Sequence, residues 1–181
     1  MGYFPLCMDI TGKPVILVGN GSQIQKKMEI LRPFGCEMVQ MEALTEEALD
    51  AEPAFVVVGD LPYDRAAEAA FLCRNRRIPV NVVDRPELCT FFFPALVREG
   101  DLTIAISTGG KHPGTAAFLR RRIRAQIPEG TDRLLDWLAQ IRQELREARP
   151  DDYAAVLGQI TEAAFQAERP LTEQELEKIL V

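Results

Sequence analysis

Asp84 closes the apolar run Val80-Asn81-Val82-Val83 and is the residue of this chain best placed to move a proton. A carboxylate at the C-terminal end of a strand lies where α/β folds bind their ligands. Held against a carbon or nitrogen acid, it acts as a general base. Asp is also a common turn residue, and turn chemistry alone accounts for its type here. Downstream stand Phe91-Phe92-Phe93, stopped by Pro94, and a second β-rich run, Leu102 to Ser107, that enters Thr108-Gly109-Gly110-Lys111. A glycine-rich loop opening a helix offers N–H groups to a carboxylate or phosphate, so Ser107, Thr108, Gly109, Gly110 and Lys111 form a candidate anion receptor. The spacing of a P-loop is missing. Arg120, Arg121, Arg122 and Arg124 form a basic cluster in an otherwise acidic chain. It is either a solvated helix face or a dock for a polyanion, since the guanidinium fork matches carboxylates. His112, beside Pro113, reads as a helix-start residue rather than a ligand.

Gly19-Asn20-Gly21 is the second candidate. It follows a strand and opens a helix, the context that a dinucleotide fingerprint requires. The first glycine permits a tight turn and the second lets backbone approach a pyrophosphate. The third position of G-x-G-x-x-G is Ile24, whose bulk is expected to push the helix off the strand or alter the phosphate approach. Glu42, at the end of the next strand, could bond a ribose hydroxyl. A plain βα turn without a ligand has the same outline.

The elements that must hold these residues alternate in the first half of the chain. Val15 to Val18, Glu37 to Met41, Ala54 to Val58 and Val80 to Val83 read as strands, the first of the buried parallel kind. Ser22 to Arg32, a short helix capped by Thr45, and Asp64 to Arg76 read as the helices between them. This order predicts an open parallel sheet. Phe91 to Val97 and Leu102 to Ser107 are then expected to be two strands, and Gly114 to Gln126 a helix. Beyond Asp132 the pattern is helical: Leu134, Leu138, Ile141 and Leu145 make one stripe, Asp151 or Asp152 is expected to cap a second helix, and Thr172-Glu173-Gln174-Glu175 is a capping box.

The 181 residues carry a net charge of −6, which argues against a nucleic-acid partner held by overall charge. No apolar run is long enough to span a bilayer, and the first residues lack a signal peptide's pattern. The cysteines (Cys7, Cys36, Cys73, Cys89) are scattered, as in a protein with reduced thiols. With His112 as the single histidine, His-rich metal clusters are excluded and no resident metal is expected. The expectation is a soluble cytoplasmic protein with neither nucleic acid nor membrane as partner.

Several blocks together resemble the precorrin-2 dehydrogenase family, the N-terminal module of siroheme synthase. They are Tyr3-Phe4-Pro5-Leu6, Val18-Gly19-Asn20-Gly21, Asn81-Val82-Val83-Asp84, Phe91-Phe92-Phe93-Pro94 and Ala105-Ile106-Ser107-Thr108-Gly109-Gly110-Lys111. The resemblance implies a Rossmann-like dinucleotide-binding domain over 1–90, a strand-and-helix dimerisation region over 91–130 and a C-terminal helical module over 131–181. It implies NAD-dependent oxidation of precorrin-2 to sirohydrochlorin, a tetrapyrrole substrate, a homodimer and, in some members, insertion of ferrous iron. Asp84 matches the family's catalytic aspartate and Ser107 a serine at the substrate end. Gly19, Asn20, Gly21, Ser22, Gln23, Glu42 and Ala43 would hold NAD, and Glu42 favours NAD over NADP by repelling a ribose phosphate. The segment Glu42 to Pro53 is shorter than in the family, and His112 and Ala117 stand where the family has Ser and Arg.

Two other readings fit the same residues. One is a ferrochelatase or non-oxidising tetrapyrrole-binding homologue that has lost NAD, suggested by Ile24 and the short segment. The other is a homodimer that uses the fold only as an interface.

Overall fold

The computed structural model describes residues 3–149 and 151–180. They fall into two compact units, Met1–Phe93 and Pro94–Val181.

In the first unit, strands β1 (Pro14–Val18), β2 (Glu37–Met41), β3 (Phe55–Val58) and β4 (Val80–Val82) form one parallel sheet in the order β2-β1-β3-β4. Helices α1 (Ser22–Leu31), α2 (Glu46–Leu49) and α3 (Tyr63–Asn75) connect them. The central strands are apolar throughout because both faces are covered. Ile16, Val18, Val56 and Val58 pack on one face against Ala66, Ala69, Ala70 and Cys73 of α3. Their neighbours Val15, Leu17, Phe55 and Val57 point the other way, onto Ile24 and Leu31 of α1. The alternating Cβ direction of a strand thus divides one apolar run between two cores. Helix α1 ends where Pro33 and Gly35 predict, with Gly35 left-handed at φ 66°. Thr45 caps α2 by accepting the Ala48 N–H at 3.3 Å.

The chain runs from β1 outward to β2 and then returns across β1 to β3. The sheet therefore reverses direction between the C-terminal ends of β1 and β3, the topological switch point where open α/β sheets take ligands.

The strand expected over Phe91 to Val97 begins only at Ala95. Phe91 and Phe93 instead enclose Phe55, with ring centroids 5.0 and 6.1 Å from it. Aromatic burial outweighs strand propensity over these residues, and Pro94 follows.

The second unit begins with an antiparallel pair, β5 (Ala95–Glu99) and β6 (Leu102–Ile106), in which Ala95 faces Ile106 and Glu99 faces Leu102. Helix α4 (Pro113–Arg124) is tied to β5 by Arg124 and Glu99, 2.7 Å apart. Helices α5 (Thr131–Ala148), α6 (Tyr153–Ala167) and α7 (Glu173–Leu180) complete it. The stripe of Leu134, Leu138 and Leu145 meets Val156, Ile160 and Ala164 of α6 and Leu171. Asp152 precedes α6 without a side-chain cap bond. The capping box at Thr172 forms in full: the Thr172 N–H donates to Glu175 Oε2 at 2.8 Å, and the Glu175 N–H donates to Thr172 Oγ1 at 3.4 Å.

Candidate active site at the strand ends

The glycine turn is built by close approach. Gly19 ends β1 at φ 115°, and a Cβ there would overlap the carbonyl of Gly59. Its N–H donates to the Met41 carbonyl at 2.8 Å, and its own carbonyl accepts from Gln40 Nε2 at 2.8 Å. Glu42 and Ala43 follow β2 directly and are exposed beside this turn. Asn20 and Ser22 are exposed, and Gln23 is half-buried in the first turn of α1. Ile24 is fully buried. It fits because Gly59 carries no side chain: a Cβ on Gly59 would lie 3.1 Å from Ile24 Cδ1.

The N-terminus of α1 already holds an anion. Asp60 Oδ2 accepts from the N–H of Gln23 at 3.2 Å and of Ile24 at 3.4 Å. These are among the donors that a helix start leaves unpaired. The carboxyl group lies where a side chain on Gly21 would have been. The backbone cradle therefore fits an anionic group such as a pyrophosphate, and the group it holds is the chain's own carboxylate.

Asp84 stands two residues past β4 as Asp60 stands two past β3. Both are left-handed, at φ 61° and 58°. That region is uncommon for residues other than Gly, and Asp tolerates it better than most. The end of β4 is fixed by the segment that follows. Thr90 Oγ1 accepts the Val80 N–H at 2.8 Å, Asn81 Nδ2 donates to the Phe91 carbonyl at 3.0 Å, and the Val82 N–H donates to Cys89 Sγ at 3.2 Å. Both aspartates line one cleft of about 160 Å³, together with Gln23, Gly59, Val83 and Arg85. Arg85 is held by donating to the Leu61 carbonyl at 2.9 Å.

Lys27, one turn beyond Ile24, lies 4.1 Å from the centroid of the Phe93 ring. Burial lowers its pKa from the ordinary lysine value, and attraction to Asp84 and then to Cys89 works against that shift. The Cys89 thiol is pushed up, chiefly by burial.

Sequence reasoning passed over Lys27, Asp60 and Arg85. Lys27 could have been found as a cation among the inward positions Ile24, Met28 and Leu31 of an amphipathic helix. Asp60 could have been found because Gly59-Asp60 ends its strand as Val83-Asp84 ends the next.

Ser107, Thr108, Gly109, Gly110, Lys111 and Arg120 belong to the second unit. There the loop uses several of its own donors: Gly109 N–H to Ser107 Oγ at 3.2 Å, His112 N–H to Thr108 Oγ1 at 3.3 Å, and Lys111 N–H to the Thr108 carbonyl at 3.2 Å. Gly109 and Gly110 are left-handed at φ 62° and 79°, as the turn requires. His112 caps α4, its Nδ1 accepting the Thr115 N–H at 2.9 Å. Lys111 and Arg120 are exposed. No cluster of three or more His, Cys, Asp or Glu able to hold a metal is found among the described residues. Nor, among them, is any helix long and apolar enough to cross a membrane.

Known proteins share parts of this sequence and its fold. Residues 37–95 match a family model described as "Putative NAD(P)-binding". That stretch includes Asp60 and Asp84 and begins after the glycine turn. The siroheme synthase of Methylococcus capsulatus is 33% identical over 175 residues, and that of Azotobacter vinelandii 34% identical over 200. The alignments take in 85% and 98% of this chain. The chain is similar to part of these siroheme synthases. It spans well under half of these relatives, 37% and 43% of their lengths. Among solved structures, SirC, a precorrin-2 dehydrogenase, superposes with a TM-score of 0.68, covering 98% of this chain and 97% of that one. At 15% identity the match is one of fold, and it covers both units of the chain.

Proposed function

We propose that this chain oxidises precorrin-2 to sirohydrochlorin, with NAD as cofactor and Asp84 as the base. The observation that carries the reading is Asp84: a strand-end carboxylate in the left-handed conformation, lining a cleft beside the partly buried Lys27, in a chain related to siroheme synthases. SirC, which shares the fold, is a precorrin-2 dehydrogenase, and this supports the same reading.

Oxidising a reduced tetrapyrrole removes a hydride and a proton. NAD, when bound, supplies the hydride acceptor. Gly19, Asn20, Gly21, Ser22 and Gln23 would take its pyrophosphate and Glu42 and Ala43 its ribose, with Glu42 disfavouring a ribose phosphate. Asp84 receives the proton. Lys27 faces Asp84 with a positive charge and is held by Phe93, so the carboxylate has a fixed counter-charge on one side. In the second unit, Ser107, Thr108, Gly109, Gly110, Lys111 and Arg120 are proposed to receive substrate carboxylates, Lys111 and Arg120 by charge. We propose a three-part organisation, with 1–90 as the dinucleotide-binding domain, 91–130 as the dimerisation region and 131–181 as the helical module. The exposed Phe118 and Leu119 of α4 support a homodimer through that region. The free cysteines support a cytoplasmic setting.

Incubation with precorrin-2 and NAD should produce NADH absorbance at 340 nm, roughly 10²–10⁴-fold slower in Asp84→Asn. Turnover undiminished in that variant would sink the reading. Asp60 on the α1 amides favours a second one, a tetrapyrrole-binding or ferrous-iron-inserting homologue without NAD. Calorimetry with NAD separates the two, since micromolar binding counts against the second.

A further inference from the structure

Two of the N–H groups that a phosphate at the start of α1 would use are engaged by Asp60 in the free chain. Asp60 is not a local cap of α1: it lies 37 residues from Gln23 in sequence and reaches the helix only because β3 ends beside β1. Three features hold it there. Gly21 leaves the space for its carboxyl group. Gly59, immediately before it, leaves room for Ile24, so the strand end can approach the helix start closely. The left-handed backbone at Asp60 then turns the side chain toward α1 rather than outward. The cleft that remains has about 160 Å³, whereas pockets for small organic ligands run from roughly 300 to 1,000 Å³. While Asp60 stays in place, the pyrophosphate of a dinucleotide would meet a carboxylate of the same charge on the α1 amides.

We infer that Asp60 is an internal competitor for the nucleotide phosphates, a built-in anion that must leave the N-terminus of α1 before a dinucleotide can bind. This rests on the dinucleotide reading of the preceding section and adds a specific element to it. The chain's apparent affinity is its intrinsic affinity reduced by the fraction of molecules in which Asp60 has swung away. Two bonds to the carboxylate, at 3.2 and 3.4 Å, oppose that movement.

The test uses the full chain and NAD itself. Calorimetry is run on the wild type, on Asp60→Gly, which suits the left-handed backbone and removes the carboxylate, and on Asp60→Asn, which tolerates the same backbone and removes only the charge. Asp60→Gly should bind NAD at least about tenfold more tightly than wild type, with Asp60→Asn between them. In 15N spectra, the Gln23 and Ile24 amides should respond to NAD in Asp60→Gly at concentrations that leave them unmoved in wild type. If Asp60→Gly does not fold, the comparison of Asp60→Asn with wild type decides the matter. Equal, measurable affinity in all three proteins overturns the inference while the dinucleotide reading stands. Absence of binding in all three removes that reading and the inference with it. Variants that melt earlier yet bind NAD no better would make Asp60 a structural cap only, and that too overturns the proposal.

Discussion

Two strand ends in one sheet, two residues past β3 and two past β4, carry the same side chain on the same kind of backbone. Asp60 and Asp84 are both exposed, both left-handed and both in the wall of one cleft. Their partners differ. Asp60 has its oxygen on two helix amides. Among the described residues no hydrogen bond reaches the carboxylate of Asp84, which faces the charge of Lys27 at longer range. Asp60 is anchored by N–H groups of a helix start, whereas Asp84 keeps its lone pairs free for a substrate. Position in the fold alone does not distinguish an anchored carboxylate from an unanchored one. The nearest helix start does.

The contrast breaks most visibly in turnover. Asp84→Asn should lower precorrin-2 oxidation by the roughly 10²–10⁴-fold typical of a lost general base. Asp60→Asn should leave the rate at saturating NAD within about threefold of wild type, because its effect falls on binding. If the two variants lose turnover alike, both carboxylates do chemistry and the distinction fails.

A double-mutant cycle reads the anchor itself. Gly21→Ala drives a methyl group into the Asp60 carboxyl and should be destabilising in the wild type. In the Asp60→Gly background that collision is gone, so urea denaturation should give a coupling of about 1–3 kcal/mol between the two sites. A coupling near zero would mean that Asp60 does not sit against Gly21 in solution.

How much of this the sequence holds follows from the range of the interactions involved. The alternation of buried strand and helix is written in local pattern, so β1 to β4 and α1 to α3 are readable from the residues. The capping box at Thr172 and Glu175 is equally local. Asp84 is legible because it closes an apolar run. Asp60 also closes one, but its role depends on an amide 37 residues away, and that partnership appears only once the strand order is known. Phe91 to Phe93 mislead for the same reason. Their β propensity reads as strand, while a distant ring, Phe55, decides where they go. Ile24 is the converse case. Its bulk reads as an obstacle until Gly59, on another strand, supplies the space.

Lys27 offers a smaller, spectroscopic way to sharpen the contrast. Burial lowers its pKa and Asp84 is the main charge opposing the fall. Removing that charge in Asp84→Asn should lower the Lys27 value further, and Asp60→Asn should leave it unmoved, as followed by NMR titration of the side chain. A lysine depressed in the fold makes stability rise with pH between its folded value and 10.5. That rise should therefore begin at lower pH in Asp84→Asn. Equal shifts in the two variants would place Lys27 as near to Asp60 as to Asp84.

The smallest effect is expected at a third anchored carboxylate, Glu175, which serves α7 locally as Asp60 serves α1 from afar. Arg169 and the Thr172 cap hold its pKa down, from 4.5 to about 2. A carboxylate depressed in the fold stabilises above its unfolded value, and the contribution fades as pH falls through the folded one. The Thr172 amide resonance should accordingly hold its position above pH 4.5 and move as pH falls toward about 2. Glu175 and Arg169 are both partly exposed to solvent, which screens the pair, so the accompanying change in melting temperature should be slight. A midpoint near 4.5 would mean that the cap and the Arg169 pair do not hold the carboxylate in solution. Amide-anchored carboxylates in this chain would then be weaker than the geometry indicates, and the case for Asp60 as a competitor would weaken with them.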